Sequence, residues 1–281
     1  MTSGKPVTIP ASAGTCFSFR NLSRIFRGNL HASTMRLTIL GSGDAFSSGG
    51  RLPSCYLLES GLKRFLVDCG PSILPALKRA GLSSNGFPVI FISHLHGDHM
   101  GGLPFLLLDA IFPAARDQPL TLVGPPGLEA RFRLAFEVFY PRCLDMDRRF
   151  DLNFIELDNG VRRQLDGIAV TPFEVNHFSG SPSYALRFEL DGKVFAFSGD
   201  AGWSDTVIEA GKDADLYLIE CYQYDYRLPM HLDYLTIAQH FDTIHAKQFV
   251  LTHMSDAMLA HQADVDRSRC ALADDGLVID F

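Results

Sequence analysis

Ser93-His94-Leu95-His96-Gly97-Asp98-His99 directly follows the apolar run Val89-Ile90-Phe91-Ile92. Three imidazoles and a carboxylate fall within six residues, and no other stretch of the chain is as dense in chemistry. A strand that ends in His-x-His-x-Asp-His can place several metal donors at one edge of a sheet, and Gly97 permits a tight turn that folds them inward. The stretch is therefore expected to be the core of a metal site, with further donors at other strand ends.

Four residues have that placement. Asp68 follows Phe65-Leu66-Val67, His177 follows the alternating run Val170–Val175, Asp200 closes Val194–Gly199, and His253 closes Gln248–Thr252. One His after a strand is as often an ordinary imidazole, but four such placements together point to a shared edge. Five histidines (His94, His96, His99, His177, His253) and two aspartates (Asp98, Asp200) divide into two sites that share a carboxylate and a hydroxide.

The surrounding pattern suits that edge. Short strand-like runs occur at 36–40, 55–59, 64–68, 88–92, 120–123, 152–157, 167–175, 183–190, 193–198, 215–220, 248–252 and 277–280. Helical periodicity occurs at 72–80, 103–112, 127–139, 204–211 and 233–245. Two successive halves, each β-rich first and β-α later, predict an α/β (α+β) fold of two sheets packed face to face with helices outside. No linker or repeat divides 36–281, which is expected to be one domain. Residues 1–35 lack hydrophobic periodicity and are expected to be a flexible extension or a mis-assigned start ahead of Met35; an organelle-targeting peptide is the rival reading.

Composition narrows the function. The chain has 281 residues, 47% of them hydrophobic, enough for a substantial core, and no apolar run is long enough for a membrane span. Six cysteines without a C-x-x-C pair argue for reduced thiols in the cytoplasm rather than a cysteine zinc site or disulfide scaffold. Residues 1–35 hold Lys5, Arg20, Arg24 and Arg27 and no acidic residue, so the remainder carries 21 basic against 32 acidic side chains. A body that acidic is poorly suited to wrapping a long polyanion.

The ordered set Asp68 in Val-Asp-Cys-Gly, His94-x-His96-x-Asp98-His99, His177, Asp200 in Ser-Gly-Asp, and His253 resembles the metallo-β-lactamase superfamily over residues 36–281. The resemblance implies a four-layer αββα sandwich and two divalent ions, Zn2+ by default with Mn2+ or Fe2+ as alternatives. His94, His96 and His177 would bind the first ion and Asp98, His99 and His253 the second, with Asp200 bridging and Asp68 holding a ligand imidazole. Asp200 and His99 look like the phosphodiesterase, ribonuclease Z and glyoxalase II side. Glu220 at a strand end, with His231 before a helix, is similar to the ribonuclease Z pattern; it implies His231 as general acid or charge stabiliser at the phosphate, oriented by Glu220. The competing reading makes His231 a neighbour of a helix cap at Asp233.

The implied reaction is attack by a metal-bridging hydroxide, oriented by Asp98, on a small-molecule or nucleotide phosphodiester. The alternative is a carboxylic ester, thioester or lactone hydrolase. Pro141 to His177 is expected to hold one meander and no basic arm of the tRNA-processing kind, which speaks against extended nucleic acid; no membrane partner is implied, and a homodimer is compatible. Arg51 is a phosphate-gripping or turn arginine, Tyr222, Tyr224 and Tyr226 suggest strand packing or a pocket wall, and Phe105–Phe112 is expected to be a buried helix.

Overall fold

Strands whose residues are apolar on both sides need cover on both faces, and the fold supplies it in layers. The computed structural model describes residues 34–281. Its first half contains β1 (Met35–Gly41), β2 (Cys55–Ser60), β3 (Lys63–Val67), β4 (Val89–Phe91), β5 (Leu120–Gly124) and β6 (Leu152–Glu156). Its second half contains β7 (Arg163–Leu165), β8 (Ile168–Val175), β9 (Ser183–Leu190), β10 (Lys193–Phe197), β11 (Leu216–Glu220), β12 (Phe249–Thr252), β13 (Cys270–Leu272) and β14 (Val278–Asp280). One sheet has the order β14-β1-β2-β3-β4-β5-β6 and the other β13-β12-β11-β10-β9-β8-β7.

The two-sheet expectation holds, with one difference in topology. β14 crosses back to pair antiparallel with β1, so the halves of the chain are not each confined to one sheet. Met35 belongs to β1 and is fully buried, with its amide and carbonyl paired to Phe281. Residues 1–33 lie outside the described residues. The segment Pro141–His177 is a crossover rather than one meander: β6 completes the first sheet, and the β7–β8 hairpin opens the second.

Alternation along single strands builds three apolar layers. Phe65, Val67 and Phe91 point between the sheets, where Phe188 packs its ring 5.2 Å from Phe65 and 4.9 Å from Phe91. Leu66 and Ile90 point the other way, against α1 (Ile73–Arg79), α3 (Leu103–Ile111) and α4 (Leu128–Phe139). Ala196, Tyr217, Ile219 and Leu251 make the equivalent outer face of the second sheet, beneath α5 (Asp205–Gly211), α6 (Tyr234–Gln239) and α7 (Phe241–Ile244). The expected single helix over 233–245 is two, broken at His240. α3 is only partly buried, with Phe112 after it 51% exposed, so its apolar face is not fully enclosed. Among the described residues no helix is long and apolar enough to cross a membrane.

Direction places the chemistry. β3, β4, β5 and β6 run parallel, as do β10, β11, β12 and β13. β8 runs with β10, because each is antiparallel to β9. The C-terminal ends of β3, β4, β8, β10, β11 and β12 therefore lie at one edge of the sandwich, and Asp68, His94, His177, Asp200, Glu220 and His253 are at or just past those ends.

Candidate metal centre

The dense stretch folds differently from the expected tight turn. β4 ends, Ile92–His96 run on as loop, and Gly97 opens the one-turn helix α2 (Gly97–Met100), with His96 as its cap residue. Asp98 and His99 are thus helical while His94 lies in the loop and His96 is extended. The donors face one another because the backbone changes conformation between them.

Local backbone geometry aims the other donors. Asp68 and His253 sit at φ 58°, in the left-handed region, which Asp and His adopt more readily than most non-glycine residues. Gly199, at φ 57°, presses against β9: a Cβ there would stand 2.6 Å from the Tyr184 carbonyl. Only glycine fits, and it sets the turn that presents Asp200.

Three groups of donor atoms result, each mutually within 4.8 Å: His94, His96 and His177; Asp98, His99, Asp200 and His253; and Asp200, Glu220, His231 and His253. His96 Nδ1 and His177 Nε2 stand 3.0 Å apart. Asp200 lies between the first two groups. Its Oδ2 is 3.8 Å from both His94 and His177 Nε2, and its Oδ1 is 3.3 Å from His99 Nε2 and 3.4 Å from His253 Nε2. Asp98 Oδ2 is 3.1 Å from His99 Nε2 and 3.2 Å from His253 Nε2.

Supporting hydrogen bonds fix the tautomers. His99 donates Nδ1–H to Asp68 Oδ2 at 2.7 Å, and the fully buried Asp68 also accepts from the Ser93 amide and hydroxyl, both at 2.8 Å. His177 donates Nδ1–H to the Met230 carbonyl at 2.9 Å. Both rings therefore turn an Nε2 lone pair toward the donor cluster. His94 Nε2, His99 Nε2 and Asp200 Oδ1 are buried without a hydrogen-bond partner. Buried polar atoms left unpaired are costly, and a divalent cation is the partner that fits imidazole and carboxylate donors so arranged.

Electrostatics differ across the cluster. Burial lowers the pKa of His94, His96 and His177, favouring the neutral, metal-binding form. Burial also opposes charge on His99 and His253, but Asp200, Asp98 and other nearby carboxylates outweigh it and raise both, His253 to about 9. Burial and the neighbouring Asp200 raise the Glu220 carboxyl.

Glu220 and His231 meet at the third group. His231 donates Nδ1–H to Glu220 Oε1, while Glu220 Oε2 accepts the amides of Leu232 at 2.9 Å and Ala201 at 3.2 Å. Burial would lower the His231 pKa, but this bond and charge raise it. Asp233 does cap α6 through the Thr236 amide, yet His231 has its own partner and lies 5.1 Å, ring to ring, from His177.

Other expectations change. Arg51 reaches Asp274 at 3.3 Å with its side chain 12% exposed, so it is a structural ion pair rather than a free anion grip or solvated turn residue. Tyr222–Tyr226 is loop, not strand. Tyr222 stands 4.7 Å from the His231 ring, Tyr224 stacks on Tyr234 and His261, and Tyr226 is exposed. The supporting roles of Ser93 and Met230 went unforeseen: a hydroxyl beside a motif and a backbone carbonyl carry no distinguishing sequence signal.

A family model described as "Anti-Pycsar protein Apyc1" matches residues 35–278. The chain belongs to that family. The mycobacterial "Ribonuclease Z" of Mycobacterium bovis (strain BCG / Pasteur 1173P2) is 26% identical over 196 residues, 66% of this chain and 70% of its own. Among solved structures, the metallo-β-lactamase fold protein YhfI from Bacillus subtilis superposes with a TM-score of 0.73 at 20% identity, covering 89% of this chain and all of its own. Human tRNase Z, short form, does so at 0.70 and 26% identity, covering 87% and 98%. This member of the Apyc1 family thus has the metallo-β-lactamase fold and stands on the ribonuclease Z-like side of that superfamily of metal-dependent hydrolases.

Proposed function

We propose that the protein is a binuclear metal-dependent phosphodiesterase acting on small or nucleotide diesters. The observation that carries this reading is the Glu220–His231 pair set against the Asp200 and His253 end of the donor cluster. His94, His96 and His177 would hold one ion and Asp98, His99 and His253 the other, with Asp200 reaching both; Zn2+ is the default, and Mn2+ or Fe2+ suits the same donors. Such ions, when bound, supply Lewis acidity to a phosphoryl oxygen and bring a water to hydroxide near neutral pH.

The chain's own residues do the rest. Asp98 engages His99 and His253 through Oδ2, leaving Oδ1 to orient the attacking water. His231 gives its Nε2 proton to the departing alkoxide, because Nδ1–H is committed to Glu220. Burial of that carboxylate keeps the imidazole in one orientation. We read residues 36–281, with Met35 opening β1, as the single hydrolase domain. A cytoplasmic setting agrees with the free, buried thiols of Cys55, Cys69 and Cys221, and the same reading admits a homodimer.

The test is purified protein, metal-loaded and chelated, with bis-p-nitrophenyl phosphate beside p-nitrophenyl acetate and a thioester. Chelator-sensitive diester turnover is expected. Ester or thioester turnover with none of the diester would overturn the reading in favour of a carboxylic ester hydrolase.

A further inference from the structure

Three loops that carry residues of the site cross at Gly202. Its amide donates to the Asn176 carbonyl at 2.8 Å, one residue before His177, and the pair forms an isolated antiparallel bridge. Gly202 is itself two residues past Asp200, and it is pressed against Pro229, two residues before His231. A Cβ on Gly202 would stand 1.9 Å from the Pro229 carbonyl oxygen and 3.3 Å from that of Asn176. An approach this close requires a residue without a side chain.

The chain on either side of Gly202 is fastened as well. Ala201 donates its amide to Glu220 Oε2 at 3.2 Å, and the Trp203 ring lies 4.2 Å from that of His240, at the break between α6 and α7. On this seat rests the turn 228–231, closed by an antiparallel bridge between Leu228 and His231. Consecutive residues of that turn serve two ends of the donor cluster. The Met230 carbonyl accepts Nδ1–H of His177 at 2.9 Å, and His231 donates its own Nδ1–H to Glu220. A backbone carbonyl points only where the backbone points, so the seating of the turn orients both rings.

We infer that Gly202 is a positioning residue: by letting the 228–231 turn settle onto the strand end that carries Asp200, it sets His177 for its ion and His231 for the leaving group in one act. Gly202 belongs to none of the donor groups and acts through the turn alone. The His231 half rests on the phosphodiesterase reading above, whereas the His177 half needs only that His177 hold an ion. In Gly202→Ala the Pro229 carbonyl must withdraw by about 1 Å to escape the new methyl, which carries the Met230 carbonyl and the His231 ring out of place together.

The experiment uses the full chain with zinc. Zinc affinities are read by competition against a chromogenic chelator, and kcat at saturating zinc is read with thymidylyl-(3′→5′)-thymidine and with bis-p-nitrophenyl phosphate. In Gly202→Ala one of the two zinc equivalents is expected to weaken about 10–100-fold, as when a ligand imidazole loses its supporting partner. The dinucleotide rate is expected to fall about tenfold further than that of the nitrophenyl diester, whose leaving group needs no proton. Pro229→Gly, an exposed change that frees the turn and leaves its seat intact, is expected to move both readings the same way by about two- to fivefold, and decides the question should Gly202→Ala fail to fold. A lower melting temperature with zinc affinities and substrate ratio unchanged, or a change in only one of the two, would overturn the inference. No turnover of either diester by the unaltered protein would instead sink the phosphodiesterase reading, and the zinc affinities would then decide the His177 half by themselves.

Discussion

Removing the His231 imidazole should harm some phosphodiesters far more than others. In His231→Ala, Glu220 loses one partner but keeps the Leu232 and Ala201 amides, so the buried carboxylate is not stranded and the variant should fold. The lost bond to a charged group is worth about 1.5–3 kcal/mol, which a thermal melt will register. General acid catalysis contributes about 10²–10⁴-fold, or ~2.7–5.5 kcal/mol of barrier. The His231 side chain is 22% exposed, so water can replace it in part and the loss should fall near 10². That loss applies only where the leaving group needs a proton. A dinucleotide with an alkoxide leaving group should lose about 10² in kcat, whereas bis-p-nitrophenyl phosphate, whose phenolate leaves unprotonated, should lose less than about fivefold. The assay is kcat and KM for both substrates at equal zinc content by elemental analysis. Equal losses on the two substrates, or an unchanged dinucleotide rate, would refute the assignment of His231 as proton donor.

Asp68→Asn keeps the acceptor for the Ser93 amide but replaces the Oδ2 that serves both the Ser93 hydroxyl and His99 Nδ1 with an amide N–H₂, which reverses the His99 tautomer and puts a proton on Nε2; zinc affinity should fall by about 10–100-fold in a competition titration against a chromogenic chelator. Chelation should cost stability as well as activity: at free metal about 1,000 times Kd the bound state gains ~4 kcal/mol, so a scanning melt should drop by roughly 8–16 °C on stripping and recover with Zn2+. Asp215, 7% exposed, bonds the Val194 amide and Lys247 at 2.8 and 2.7 Å; burial opposes its charge, but these partners outweigh it and lower its pKa. A depressed carboxyl stabilises the fold above its unfolded value near 4 and loses that contribution as pH falls through its folded value. Asp215→Asn should therefore be less stable by about 1.5–3 kcal/mol at pH 7 in urea titrations, with the gap closing below about pH 4.

The layering was legible because strands buried on both faces write nearly continuous apolar runs, and Phe65-Leu66-Val67 and Val89-Ile90-Phe91-Ile92 serve two cores at once. β7 and β13 were missed because three residues are too few to show a period, even where, as in Cys270-Ala271-Leu272, all are apolar. The return of β14 to the first sheet has no local signature either. It depends on pairing with β1, more than 230 residues earlier, and long-range pairing is decided by the whole sheet's register rather than by either segment.

At the site, which residues would meet was legible but their geometry was not. Asp68, His177, Asp200 and His253 could be picked out because each follows an apolar run, and parallel strands bring such positions to a common edge. What spacing cannot express is which nitrogen faces inward. That is set by partners such as the Met230 carbonyl for His177 and Asp68 for His99, neither of which is near its ring in sequence. Tyr222 makes the same point. Its alternation with Tyr224 and Tyr226 mimics a strand, but the Glu220 carboxylate draws the Leu232 amide toward it, the intervening chain loops out, and Tyr222 comes beside His231. One buried carboxylate at the end of β11 thus does two jobs, holding the imidazole and closing the loop that walls it. The Glu220–His231 pair is therefore where fold and chemistry are hardest to separate by substitution, which is why the leaving-group comparison, rather than a simple loss of rate, is the measurement that tells them apart.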